Sequence, residues 1–311
     1  MKLGFIGLGR MGRAMVLHLL EKGVDVVVFN RSPEKTQELL QDFEKTLQKN
    51  PFPPSPYGNL TPSYNLEQLI KNVSPPRIIW IMVEHGNPVE SLIRGLLKAK
   101  LKVGDILIDG GNSFYKDSMK RHDQLKKKGI HFLDIGTSGG LEGARDGACL
   151  MIGGDEEIFI QLKDFFSTIA TPSGFEYFGP SGSGHFVKMV HNGVEYGMLE
   201  AIGEGFELLA KSPFPIDLKR VAHNWSHGSI VRGFLMELLN RALANDPGLA
   251  NVSGMVGGGT TGEWAVRTAR RLKVEVPVIK TSLAARKKSV EKPTFSGKIV
   301  QALRFEFGGH K

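Results

Sequence analysis

Six residues close to the N-terminus constrain this chain more than any others. Gly7-Leu8-Gly9-Arg10-Met11-Gly12 follows an apolar run at 3–6 and opens an amphipathic stretch at 11–22. Between a strand and a helix, each glycine at this spacing has a mechanical task. The first allows a tight turn, the second lets backbone approach an anion, and the third lets helix and strand pack closely. The helix start contributes unpaired N–H donors. The spacing therefore predicts a seat for the pyrophosphate of a dinucleotide, formed by Gly7, Leu8, Gly9, Arg10, Met11 and Gly12.

The rest of the first half keeps the same rhythm. Strands are expected at 3–6, 24–29, 78–83, 106–109, 131–135 and 149–152, and helices at 11–22, 34–48, 88–99, 117–128 and 156–169. Alternation of this kind gives βαβ units and a parallel sheet, so a Rossmann-type doubly wound α/β domain is expected over 1–180. Five prolines between residues 50 and 64 break the pattern, and a surface loop is expected there, before a helix at 66–71. Beyond Pro180-Ser181-Gly182-Ser183-Gly184 strand signals almost vanish. Residues 181–311 read as an all-α domain with helices at 185–211, 218–225, 230–244, 261–272 and 278–288. A tail at 292–311 reads as a short helix with an extended end.

At 311 residues the chain is long enough for two cores, and 41% hydrophobic residues supply them. No apolar run reaches bilayer-spanning length and Met1 leads directly into a strand, so the sequence reads as cytoplasmic and without a membrane role. Cys149 is the single cysteine. It permits no internal disulfide or cysteine metal cage, and its apolar neighbours suggest a buried position. The formal charge of +8 concentrates at Lys126-Lys127-Lys128 and Arg286-Lys287-Lys288. Neither run carries aromatic residues for base stacking, so solvated helix faces are expected and nucleic acid is not.

The second expected strand ends at Asn30-Arg31-Ser32, where an NAD-selective chain would carry an acid for the ribose hydroxyl. Arg31 instead can pair with a 2′-phosphate and stack on adenine. NADP is favoured over NAD; the alternative makes Arg31 an exposed loop residue and Asn30 a cap. Met82 and Val83, ending the strand at 78–83, join the expected cofactor contacts.

Residues 184–196 carry the second signal. In a helix, Lys188, His191, Asn192 and Glu195 fall at i, i+3, i+4 and i+7, one polar stripe among Phe186, Val187, Met189, Val190 and Val194. Such a stripe can simply face water. Glycines at 193, 197, 203 and 205, however, weaken a helix unless something packs close, and a lysine beside an acid in a partly buried cleft suits proton transfer.

With these stretches, together with Asp109-Gly110-Gly111-Asn112-Ser113 and Ser138-Gly139-Gly140-Leu141-Glu142-Gly143-Ala144-Arg145, the chain resembles the 6-phosphogluconate dehydrogenase (decarboxylating) family within the β-hydroxyacid dehydrogenase superfamily, in a short form. The resemblance implies oxidative decarboxylation of a sugar-acid phosphate with NADP and no metal. It makes Lys188 the base for the C3 hydroxyl and Glu195 the acid that protonates the enediol. It places Asn112, Ser138, Gly139, Gly140, His191 and Asn192 on the substrate's carboxylate and hydroxyls, with Asn112 also near the nicotinamide, and Tyr196 and Arg232 on its phosphate. Arg304 and His310 match a family tail that reaches into a neighbouring subunit, which implies a homo-oligomer. One position departs: Glu263 stands where the family usually offers a base, and a carboxylate opposes a phosphate. Two other readings follow, a dehydrogenase of a small non-phosphorylated β-hydroxy acid such as 3-hydroxyisobutyrate, and a non-catalytic NADP-binding regulator.

Overall fold

The computed structural model describes residues 1–49 and 56–309. Its chain divides into two compact units, Met1–Lys188 and Met189–Lys311. The first is built on one sheet of β1 (Lys2–Ile6), β2 (Asp25–Phe29), β3 (Leu60–Ser63), β4 (Ile78–Ile81), β5 (Ile106–Asp109), β6 (His131–Ser138), β7 (Ala148–Gly154) and β8 (Ala170–Tyr177). Their spatial order is β3-β2-β1-β4-β5-β6-β7-β8. All neighbours are parallel except β6 with β7. The order reverses between β1 and β4, and open α/β sheets bind ligands at such switch points, beyond the carboxyl ends of the strands.

Around the sheet run α1 (Arg10–Glu21), α2 (Pro33–Lys49), α3 (Leu66–Asn72), α4 (Asn87–Lys98), α5 (Tyr115–Lys126), α6 (Gly140–Asp146), α7 (Glu156–Gln161) and α8 (Lys163–Ile169). Strand side chains alternate between two cores. Leu3, Phe5, Val26, Val28 and Trp80 join one; Ile6, Val27, Ile79, Ile81 and Leu107 join the other. Burial on both faces explains why the central strands read as continuous apolar runs.

Several expectations require correction. Residues 50–55 of the proline-rich stretch lie outside the described residues, but Leu60–Ser63 is a strand rather than loop. As the sheet's edge it tolerates Pro62, which has no N–H to donate to a further strand. β8 was not expected, because Ala170–Tyr177 contains Pro172 and Gly174 and only Thr171 is β-branched. The helix expected at 156–169 is broken at Leu162, and Gly140–Asp146, where no element was expected, is a short helix. Cys149 is exposed, not buried: in β7 it alternates with buried Ala148 and Leu150 and so points to the other face.

α9 (Ser183–Ala210) runs across the division between the units. The second unit adds α10 (Leu218–Trp225), α11 (Phe234–Asn245), α12 (Thr260–Leu272), α13 (Pro277–Glu291) and α14 (Phe295–Gly308). Its core gathers Leu199, Phe206, Leu239, Leu243, Ile299 and Leu303. The helix expected from 230 begins at Phe234, since Ile230 and Arg232 lie in a preceding turn. The tail too is corrected: it is a regular 14-residue helix capped by the Thr294 side chain. Among the described residues, no helix is long and apolar enough to cross a membrane.

Candidate functional site

In the first unit, the glycine turn joins β1 to α1 as its spacing predicts. Gly7 has φ +105°, and a Cβ there would lie 2.2 Å from the Met82 carbonyl oxygen. A Cβ on Gly12 would meet the Gly7 oxygen at 2.0 Å. Both positions admit only glycine. Gly9 differs: it is the N-cap of α1 in extended conformation, and a Cβ there would meet nothing within 4 Å. The first turn of α1 therefore opens on unfilled space, contains no acidic residue, and directs its N–H groups outward. The Asn30 amide oxygen accepts the Leu8 N–H at 2.9 Å, tying the turn to the end of β2, and places Arg31 and Ser32 beside it on the surface. These residues fit a dinucleotide pyrophosphate and, at Arg31, a further anionic group.

Met82 and Val83 follow β4 between the glycine turn and the loop after β5. The Met82 N–H donates to the Ile6 oxygen at 2.8 Å, and a Cβ on Gly111 would lie 2.7 Å from the Val83 oxygen. That loop is shaped by buried Asp109, which accepts from the Gly111 N–H at 3.2 Å, Ser113 Oγ at 2.8 Å and Arg121 Nη1 at 2.9 Å. Arg121, only 1% exposed, also donates to Glu90 at 2.8 Å. The outcome is a rigid loop that leaves Asn112 exposed. Ser138 ends β6, and Gly139 and Gly140, both at positive φ, turn the chain into α6.

Lys188 is buried on α9. Its Cβ lies against Gly136 of β6, where a methyl group would come within 2.3 Å. The start of α9 is held by Asp134, which accepts from the Gly182 N–H at 2.6 Å and the His185 N–H at 2.9 Å.

In the second unit, α9 continues with half-buried His191 and buried Asn192, whose side chains are 3.1 Å apart from Nδ1 to Oδ1. Glu195 follows on the same face and is half-buried. Tyr196 is 7% exposed, and the Arg286 guanidinium lies over its ring, 3.6 Å from the centroid. Arg286 is itself 4% exposed, which corrects the expectation of a solvated basic run on α13. Among the described residues no carboxylate hydrogen-bonds its guanidinium. Arg304, on α14, donates to the Val256 oxygen. Burial and the Arg286 charge push its pKa below the ordinary guanidinium value, while Tyr196 and Glu195 pull it upward. Two guanidiniums, Tyr196 and Glu195 thus share one partly desolvated neighbourhood. The first turn of α12 closes on it: a Cβ on Gly262 would sit 2.6 Å from the Tyr196 ring.

Sequence reasoning missed Arg286, and only the long-range contact with Tyr196 could have exposed it. Arg232 is exposed before α11, its N–H donating to the Ser229 oxygen at 3.3 Å. His310 lies outside the described residues. Glu263 is exposed and pairs with Lys287 at 2.5 Å, so its negative charge is offset locally. The two line a surface groove of about 400 Å³ with Trp264, Arg267, Arg270 and Leu283.

Comparison with known proteins places this geometry. Residues 2–180 match the NAD binding domain of 6-phosphogluconate dehydrogenase, and residues 184–297 match the C-terminal domain of 6-phosphogluconate dehydrogenase. A Bacillus subtilis (strain 168) protein named "Putative 6-phosphogluconate dehydrogenase YqeC" is 44% identical, covering 100% of this chain and 98% of its own. The NAD(+)-dependent, decarboxylating 6-phosphogluconate dehydrogenase of Haloferax volcanii is 38% identical at the same coverage. Among solved structures, Plasmodium falciparum 6-phosphogluconate dehydrogenase, determined with NADP+ and with 6-phosphogluconate, aligns at TM-score 0.82 and 31% identity. The alignment covers 94% of this chain and 62% of that one. Matches that run through both units, over the glycine turn and the Lys188 helix alike, make this chain a member of the 6-phosphogluconate dehydrogenase family.

Proposed function

We propose that this chain oxidises and decarboxylates 6-phosphogluconate to ribulose 5-phosphate and carbon dioxide, using NADP. The observation that carries the substrate is Arg286, a buried guanidinium stacked on Tyr196 with no bonded carboxylate. A buried guanidinium without a bonded carboxylate is costly, and a phosphate placed beside Arg286 and Arg304 would relieve it. A small acid without a phosphate would leave both guanidiniums without a bonded anion. The NADP preference is supported by Arg31 standing where an acid would select NAD.

Bound dinucleotide supplies the hydride acceptor. Lys188 takes the C3 hydroxyl proton as hydride leaves C3. Now protonated, Lys188 donates to the C3 carbonyl, which draws in the electron pair released as the carboxylate departs as carbon dioxide. Glu195 then delivers a proton to C1 of the enediol. Asn112, Ser138, Gly139, Gly140, His191 and Asn192 hold the carboxylate and hydroxyls, and Tyr196, Arg286 and Arg304 hold the phosphate.

A homo-oligomer belongs to the same reading, supported by the exposed apolar residues Val190, Val194 and Met198 of α9. Because Arg304 already lies with Tyr196 of its own chain, a second copy would contribute residues other than this arginine.

A substrate panel tests the proposal. Purified chain is mixed with NADP or NAD and with 6-phosphogluconate, gluconate or 3-hydroxyisobutyrate, and reduced cofactor is followed by absorbance. Turnover is expected with 6-phosphogluconate, faster with NADP. Oxidation confined to a non-phosphorylated acid would overturn it.

A further inference from the structure

His185 takes no part in the chemistry above, yet it is a fully buried polar side chain one helical turn before Lys188. Its ring makes two contacts. Nε2 lies 3.0 Å from the Gly111 carbonyl oxygen, and Nδ1 lies 2.7 Å from Ser118 Oγ on α5. A carbonyl oxygen only accepts, so Nε2 carries the proton. On the neutral ring Nδ1 then accepts the Ser118 hydroxyl, with Asp134 Oδ2 4.0 Å away, and the two contacts hold the ring plane.

The backbone of the same residue is held separately. Asp134 of β6 accepts the His185 N–H at 2.9 Å and the Gly182 N–H at 2.6 Å. β6 also provides Gly136, against which Lys188 packs. One residue therefore ties three elements: its backbone to β6, its Nδ1 to α5, and its Nε2 to the loop after β5. The carbonyl it grips belongs to Gly111, the residue preceding Asn112.

We propose that His185 is a positioning residue, which sets the Asn112 loop against Lys188 through the Gly111 carbonyl. The proposal rests on the reading of Lys188 and Asn112 given above. A histidine that merely filled the core would affect stability and leave the turnover of folded protein unchanged. A positioning histidine acts on kcat and leaves cofactor affinity, which the glycine turn supplies, intact.

The full-length chain is assayed as wild type, His185→Leu, His185→Gln and Ser118→Ala. Glutamine places an amide N–H near the Nε2 position, whereas leucine places none. His185→Leu is expected to lower kcat by about tenfold or more, the scale of one lost buried hydrogen bond, with the Kd for NADP unchanged. His185→Gln should recover most of that loss. Ser118→Ala, which releases the ring without removing it, should lower kcat by about threefold. Wild-type kcat in His185→Leu, or a glutamine variant as slow as leucine, would overturn the proposal; if the leucine variant fails to fold, an undiminished rate in Ser118→Ala does so instead. Failure of the wild type to oxidise 6-phosphogluconate would count against the proposed function alone. In that event the ¹⁵N shifts of His185 decide, where an Nε2–H tautomer supports the inference and an Nδ1–H tautomer overturns it.

Discussion

Lys188 owes its place to a glycine on a neighbouring strand. With Gly136 lacking a side chain, the lysine stem lies directly on β6, and no other residue type leaves that room. Gly136→Ala should therefore destabilise the fold by about 1–3 kcal/mol, the usual range for overpacking, and should lower kcat more than it raises the Kd for NADP. Unchanged turnover in folded Gly136→Ala would contradict this placement. Lys188→Ala should abolish oxidation while calorimetry still records NADP binding; a substantial residual rate would remove the lysine from its role. At this scale the helical spacing of Lys188, His191, Asn192 and Glu195 was legible from the sequence alone. Arg286 was not, because three consecutive cations look like a solvated face. Arg286 lies over the ring of Tyr196, a residue far away along the chain. His185 escaped for a related reason: it stands on the same helix face one turn before Lys188, where its burial cannot be read from spacing, and its partners sit on two other elements.

Helix starts and strand edges decide the next level. The opening of α1 was readable because its glycines act locally, and they behave differently from one another. Gly9→Ala meets no neighbour and suits its extended backbone. It should leave the thermal midpoint unchanged or slightly raised, yet weaken NADP binding by about tenfold or more, since a methyl group would occupy the space the pyrophosphate needs. Loss of stability without loss of affinity would argue against the seat. α14 shows the opposite case. Pro293 and Gly297 suggested a short helix, but Pro293 merely precedes the Thr294 cap, and Gly297 is small because Gly254 presses on it, its oxygen 2.2 Å from where a Cβ would lie. Only packing distinguishes such a glycine from a helix breaker. β3 and β8 were illegible because edge strands need neither β-branched residues nor freedom from proline.

On α9, Glu200 gives a titration to follow. Burial, reinforced by Glu204 and opposed by Arg286, raises its carboxyl pKa above the ordinary glutamate value. An acid raised on folding supports stability below its unfolded pKa, and that support is lost as pH climbs through the folded one. Glu200→Gln should consequently raise the thermal midpoint near about pH 8, with the gain fading near about pH 4. A difference that stays constant across this range would contradict the assignment.

Across the whole molecule, fold class followed from alternation and its abrupt end near residue 180, since parallel α/β architecture and helical packing leave different periodicities. The candidate site was legible as two separate signals, a glycine turn and a polar helical stripe, and the guanidiniums of Arg286 and Arg304 near Tyr196 became visible only in three dimensions. Oxidation by a β-hydroxy acid dehydrogenase and oxidative decarboxylation differ in one product. The direct measurement is therefore the ratio of carbon dioxide released to NADPH formed when the purified chain acts on 6-phosphogluconate carrying ¹³C in its carboxylate. Equal amounts of labelled carbon dioxide and NADPH are expected. NADPH formed without labelled carbon dioxide, or no NADPH at all, would contradict the assignment of this chain as a decarboxylating dehydrogenase.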